Sequence, residues 1–171
     1  MKMIEGGVCA AKGFTANGIH CGIRKNHSKK DLALIVSSVP ASAAAVYTTN
    51  LVKGAPLTVT RNHIANGIAQ AVICNSGNAN TCNANGIEIA QDMCALVEKH
   101  TGISAGDVVV ASTGVIGQPL CIDPIAAGME ELAKGQPYEA VMEEGRRRGF
   151  VEADPSMDLD GWDAAAKLTA L

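Results

Sequence analysis

Hydroxyls and glycines crowd together behind a run of β-branched residues at positions 107–119, DVVVASTGVIGQP. Val108, Val109 and Val110 suit a strand covered on both faces. Ser112, Thr113, Gly114 and Gly117 follow at once. Hydroxyl donors, together with backbone N–H groups that glycine makes approachable, are what an anion-binding turn needs; an oxyanion hole is one such turn. The plainer reading is a strand that ends in an ordinary glycine turn, and the local pattern by itself favours it. A second cluster, Asn75-Ser76-Gly77-Asn78-Ala79-Asn80, follows the apolar run at 69–74. It packs many donors and acceptors into a small space. It fits a ligand-facing loop, and equally a set of Asx turns that satisfy their own backbone. A third group is acidic and spans 152–163, with Lys167 beyond it. Asp163 and Lys167 stand four apart and share one helix face.

Composition narrows the chemistry. The chain has 171 residues, long enough for one domain with a sizeable core. Aromatics are 3% against 47% apolar residues, so the core must be built from Ala, Val, Ile, Leu and Met. A net charge of −3 leaves no electrostatic footprint for nucleic acid. The run Arg146 to Arg148 is flanked by Glu143, Glu144 and Glu152, as on a solvated helix face. Six cysteines include no C-x-x-C pair, and no histidine sits beside them at ligand spacing, so no metal site is expected. The first residues lack the apolar region of a signal peptide, and no run reaches transmembrane length. Reduced, mostly buried thiols in a cytoplasmic protein with no membrane contact are the expectation.

The elements that would position these clusters can be read in outline. Alternation at Ile19, Cys21 and Ile23 suggests a strand, and residues 31–38 read as a buried one. Residues 41–46 fit either a strand or a short helix. Residues 57–60 are a further strand candidate, and 61–66 one helical turn stopped by Gly67. Residues 69–74 are the next buried strand. Ile89, Ala90, Met93, Cys94, Leu96 and Val97 make one stripe of a helix over 87–99, with Gly102 placed to end it. Asp123 and Pro124 read as an N-cap and a first-turn proline of a helix that runs to Lys134. A charged helix is expected over 137–148. Strands and helices both recur without clean βαβ alternation in the first seventy or so residues. The fold class is therefore α+β, a mixed sheet packed with helices, rather than a doubly wound sheet.

Four stretches carry a resemblance: GGVCAAKGF at 6–14, KKDLALIVSSVPASAAAVYTTN at 29–50, NSGNAN at 75–80 and ASTGVIGQPL at 111–120. In order and spacing, over about residues 5–135, they resemble ornithine acetyltransferase, the glutamate N-acetyltransferase of the cyclic arginine pathway. The resemblance implies a precursor that cuts itself into α and β chains of a heterotetramer. It implies no cofactor. The β chain begins with a nucleophilic threonine, which takes acetyl from N-acetylornithine and passes it to glutamate. A free α-amine can serve as the base for its own hydroxyl. By resemblance Thr113 and Gly114 form the oxyanion hole, through a hydroxyl and a backbone N–H. The family's Ala-Thr cleavage bond is absent, since no threonine follows an alanine here. The chain is thus expected to be inactive alone, incomplete without a β chain carrying an N-terminal Thr.

The segment 136–171 reads as a helical acidic tail of different resemblance. Residues 149–168, GFVEADPSMDLDGWDAAAKL, are similar to the substrate-binding segment of homoserine dehydrogenase. That similarity implies amino-acid contacts from Glu152, Asp158 and Asp163, with Lys167 as a proton-transfer residue. The ordinary reading is a capped acidic turn with one surface ion pair. No G-x-G-x-x-G follows a strand, so a dinucleotide cofactor is not expected. The alternatives to an acetyltransferase part are thus an amino-acid-binding fragment, or a truncated or chimeric product without catalysis.

Overall fold

The computed structural model describes residues 7–134. Four strands, β1 (Phe14–Ile19), β2 (Leu32–Ser42), β3 (Ile68–Asn78) and β4 (Val108–Val115), form one sheet in the order β1-β2-β3-β4. The first two pairings are antiparallel and β3–β4 is parallel, so the sheet is mixed, as the α+β reading expects. The parallel pair needs a crossover, and helix α2 (Gly86–Thr101) supplies it. Helices α1 (Ala55–His63) and α3 (Asp123–Ala133) complete the layer.

One face of the sheet holds the core. Ile19, Leu32, Leu34, Ala71, Ile73, Val108 and Val110 pack with Val59 of α1, with Met93, Cys94 and Val97 of α2, and with Ile125, Met129 and Leu132 of α3. The other face carries Ala33, Ile35, Val72, Cys74, Val109 and Ala111, neighbours across the ladders and each half-buried. This second face is apolar too, and no described helix contributes to it. Sheets with parallel pairs are ordinarily covered on both sides.

Several local readings need correction. Residues 57–60 are not a strand; they lie inside α1. Pro56 sits in the first turn of that helix, and Val59 and Thr60 are buried. Thr60 Oγ1 donates to the Val110 carbonyl at 2.9 Å and accepts from the Val110 N–H at 3.1 Å. The β-branched residues are held helical because they seal the outer edge of β4, and packing overrides propensity. β1 stops at Ile19, so Cys21 and Ile23 lie in a loop. β2 ends at Ser42, and the chain beyond it takes no regular structure until α1, with Val46 and Leu51 at 99% and 97% exposure. Asp123 is not the N-cap of α3: Ile122 is, without a side-chain cap bond, and the Asp123 carboxylate accepts from Cys121 Sγ at 3.4 Å. The α2 reading holds. Gly102 closes that helix at φ +76°, its N–H donating to Glu98 O at 2.8 Å. Of the six thiols, Cys94 is buried while Cys82 and Cys121 are exposed. The helix expected over 137–148 lies outside the described residues.

Candidate active site

The two polar clusters turn out to be one structure. Both expected turns continue as strand: β3 runs to Asn78 and β4 to Val115. In the parallel register Asn75 faces Ser112, Ser76 faces Thr113, Gly77 faces Gly114 and Asn78 faces Val115. The glycines make that possible. A Cβ on Gly114 would stand 2.5 Å from Asn78 N and 2.7 Å from Gly77 O. Gly114 sits at φ +132° and Gly77 at φ +107°, conformations that L side chains rarely adopt.

The asparagines are mainly scaffold. Asn78 Nδ2 donates to Gln118 O at 2.9 Å and Pro119 O at 3.2 Å, while its Oδ1 accepts from Asn80 N at 2.8 Å. Asn80 is fully buried at φ +46°, and its Nδ2 donates to Gly86 O at 2.8 Å, tying the loop to the start of α2. Ala79 N donates to Val115 O and Gly117 N to Thr81 O, each at 2.9 Å. The Asx-turn reading is therefore right for Asn78, whereas the Asn80 side chain reaches six residues on to Gly86. Asn75 differs: its Nδ2 donates to Asn78 O at 2.9 Å, but among the described residues its buried Oδ1 meets no partner, nor does the buried Oγ of its register partner Ser112.

Thr113 and Gly114 are exposed at the carboxyl end of this ladder. Thr113 Oγ1 donates to Asn75 O at 3.4 Å, a long bond that costs little to exchange. The Gly114 N–H follows from strand parity. Thr60 engages both backbone groups of Val110 from the outer edge, so the N–H groups of Ser112 and Gly114 also point away from β3. Among the described residues, neither has a partner outside the sheet. An exposed hydroxyl held by one long bond thus stands next to a backbone N–H that points away from β3.

Sequence reasoning missed Asp31 and Arg24. Asp31 is buried at the head of β2, and its carboxylate accepts from Cys21 N at 2.7 Å, Gly22 N at 3.3 Å and Arg24 N at 2.8 Å. His20 Nδ1 lies 3.1 Å from the same carboxylate. Burial by itself pushes the Asp31 pKa up, but the Arg24 and Cys21 N–H groups outweigh it and hold the carboxyl below its ordinary value. The Asp31 carbonyl also accepts from Ser76 N at 2.8 Å. One buried acid therefore ties the 20–24 loop to the β3–β4 ladder. Only a lone aspartate before an apolar run marked it in the sequence.

Neither Cys94 nor Cys21 suits thiolate chemistry. Burial pushes the Cys94 thiol up to about 12, and burial followed by the Asp31 charge pushes Cys21 to about 12. Among the described residues no three His, Cys, Asp or Glu side chains group as metal ligands, and no helix is long and apolar enough to cross a membrane. Glu152, Asp158, Asp163 and Lys167 lie outside the described residues.

Comparison with known proteins gives this geometry a context. The ArgJ family profile matches residues 15–153, a stretch that runs past position 135. An arginine biosynthesis bifunctional protein ArgJ from Bacillus cereus is 44% identical over 160 residues, covering 92% of this chain and 37% of the relative. The ArgJ protein of Symbiobacterium thermophilum is 47% identical over 135 residues, covering 78% and 34%. The chain thus spans little more than a third of the length of these curated relatives. Among solved structures, the Bacillus halodurans ArgJ protein superposes with a TM-score of 0.71 at 47% identity, over 78% of this chain and 68% of that one. Ornithine acetyltransferase from Mycobacterium tuberculosis, solved with ornithine, gives 0.67 at 37% identity, over 75% and 69%. The ordered motifs, the mixed sheet that joins two of them in one ladder, and the match across most of the chain agree: this chain belongs to the ArgJ family.

Proposed function

We propose that this chain is the oxyanion-binding part of an N-acetyltransferase that moves acetyl from N-acetylornithine to glutamate in arginine biosynthesis. The observation that carries the reading is the exposed pair of donors, Thr113 Oγ1–H and Gly114 N–H, locked in place by the Gly77–Gly114 contact. The nucleophile is a threonine that begins a separate β chain. Its α-amine takes the hydroxyl proton as the oxygen bonds to the acetyl carbonyl carbon. The carbonyl electron pair moves onto oxygen, and Thr113 and Gly114 donate to that oxyanion. When the intermediate collapses, the C–N bond breaks and ornithine leaves with the proton on its amine. Glutamate then attacks the acetyl ester through the same oxyanion site, and its acetylated form leaves.

The uncovered sheet face supports a two-part enzyme. Thr113 shares that face with Val109 and Ala111, so a layer covering the apolar residues would meet Thr113 directly. Small polar substrates suit work in the cytoplasm. The 171 residues hold no Ala-Thr bond, so neither acetyl uptake nor transfer is expected from this chain alone.

Thr113→Val tests the role of the hydroxyl. In an assembly of this chain with a Thr-led β portion from an ArgJ relative, kcat for acetyl transfer should fall by about 10²–10³-fold. The thermal midpoint should stay in place, because Thr113 is exposed and its one hydrogen bond is long. An unchanged kcat would remove Thr113 from the site.

A further inference from the structure

Two histidines meet in the loop that joins β1 to β2, and acetyl transfer gives neither a task. His20 Nε2 stands 3.0 Å from His27 Nδ1, with the ring planes at 69°. Both residues are held in place. His20 Nδ1 faces the Lys29 carbonyl at 3.0 Å and Asp31 Oδ2 at 3.1 Å. Both partners are acceptors, so Nδ1 carries the proton and the lone pair of the neutral ring lies on Nε2. His27 is placed by a turn. Asn26 Oδ1 accepts from Ser28 N at 3.0 Å and from Ser28 Oγ at 2.7 Å, and Lys29 N donates to Asn26 O at 3.3 Å.

His20 has the surroundings of a ligating imidazole. A metal-bound histidine ordinarily donates its other ring N–H to a carboxylate or a carbonyl, which fixes the tautomer and aims the lone pair. Here both acceptors are present. With no cation, His27 Nδ1–H can donate to that lone pair; a cation takes the place of this hydrogen as His27 shifts its proton to Nε2. Metal–imidazole bonds of about 2.0–2.1 Å, drawn to two nitrogens 3.0 Å apart, enclose an angle of roughly 95°. That is the cis angle of an octahedral or tetragonal shell, not the angle of a tetrahedral zinc site. His27 is exposed and His20 partly so, which leaves the other positions of such a shell to solvent. Lys25, Lys29 and Lys30 lie on the same loop, so net charge does not draw a hard cation here. Imidazole nitrogen instead selects nickel, copper or zinc over magnesium and calcium.

We infer that His20 and His27 bind one divalent transition-metal cation, with Asp31 orienting His20. The cation ties the 26–29 turn to the residue that anchors the 20–24 loop. Asp31 acts through His20 and is a positioning residue. The site does not depend on the acetyltransferase reading.

The test titrates the untagged 171-residue chain with Ni²⁺ alone, followed by calorimetry and by the ring resonances of the four histidines. One Ni²⁺ per chain is expected, with strong paramagnetic broadening at His20 and His27 and little at His63 and His100. Bound Ni²⁺ should also raise the thermal midpoint. His27→Gln should weaken uptake by about tenfold or more, the scale on which even orienting partners act. It should keep the midpoint of the metal-free chain, since His27 is exposed. His20→Gln should weaken uptake as much, but it also strips Asp31 of a partner, so His27→Gln decides. His100→Gln should change nothing, and excess Mg²⁺ should not displace the nickel. No saturable uptake, or uptake kept by His27→Gln, would overturn the assignment. So would broadening shared equally by all four histidines, the mark of adventitious surface binding. Displacement by Mg²⁺ would do the same, since it would put the cation on carboxylates instead.

Discussion

Gly114→Ala is expected to destabilise the fold by about 3–5 kcal/mol. Two costs combine. The new Cβ would stand 2.5 Å from Asn78 N and 2.7 Å from Gly77 O, so two paired strands must separate. Such overpacking costs about 1–3 kcal/mol. The φ of +132° adds about 1–3 kcal/mol for any residue with a Cβ. Gly117→Ala is the control: Gly117 also has a positive φ, +73°, but its Cβ would meet none of the described residues within 4 Å. It should lose only about 1 kcal/mol. Urea unfolding of the two variants measures the difference, which is the cost of forcing the ladder apart. Equal losses would mean that the Gly77–Gly114 contact does not lock the donors.

Asp31→Asn is expected to cost about 2–4 kcal/mol, close to Gly114→Ala in size but different in kind. Asparagine keeps the shape of the side chain and loses the charge. Three N–H groups, of Cys21, Gly22 and Arg24, then share one carbonyl oxygen in place of a carboxylate. Hydrogen bonds to a charged group contribute about 1.5–3 kcal/mol each, and the amide nitrogen would face a donor. The same residue sets part of the acid limb of stability. Folding holds the Asp31 carboxyl below its ordinary 3.8, so the unfolded chain takes up this proton first as pH falls. The stabilisation is fully present above the unfolded value. It is lost as pH drops through the folded one. Asp31→Asn should therefore lower stability at pH 7 and flatten its decline below pH 4. A parallel downward shift with the acid slope intact would show that Asp31 does not carry this limb.

The sequence made the regular parts of this fold readable and hid the parts that depend on distant contacts. Helix α2 was legible because its apolar stripe and Gly102 are local signals. α1 was not, because its β-branched residues become helical through Thr60 bonding Val110, fifty positions away. The clusters at 75–80 and 112–114 read as turns from their glycines and polar side chains. Each becomes strand only because the other lies beside it, which no window on one segment can show. Thr113 and Gly114 came from the family resemblance; the ladder then explains why the Thr113 hydroxyl makes only a long bond to Asn75 O and why the Gly114 N–H points away from β3. Asp31 and Arg24 carried no local pattern, since three backbone N–H groups meeting one carboxylate is a property of the folded loop.

The most direct test of the central claim is acetyl exchange by the purified chain, with and without a Thr-led β portion from an ArgJ relative. N-acetylornithine and glutamate are supplied, and N-acetylglutamate is measured. Each part alone should give none, and the two together should give transfer that falls with Thr113→Val. Transfer by this chain alone, or a stable two-part assembly that forms no N-acetylglutamate, would contradict the claim.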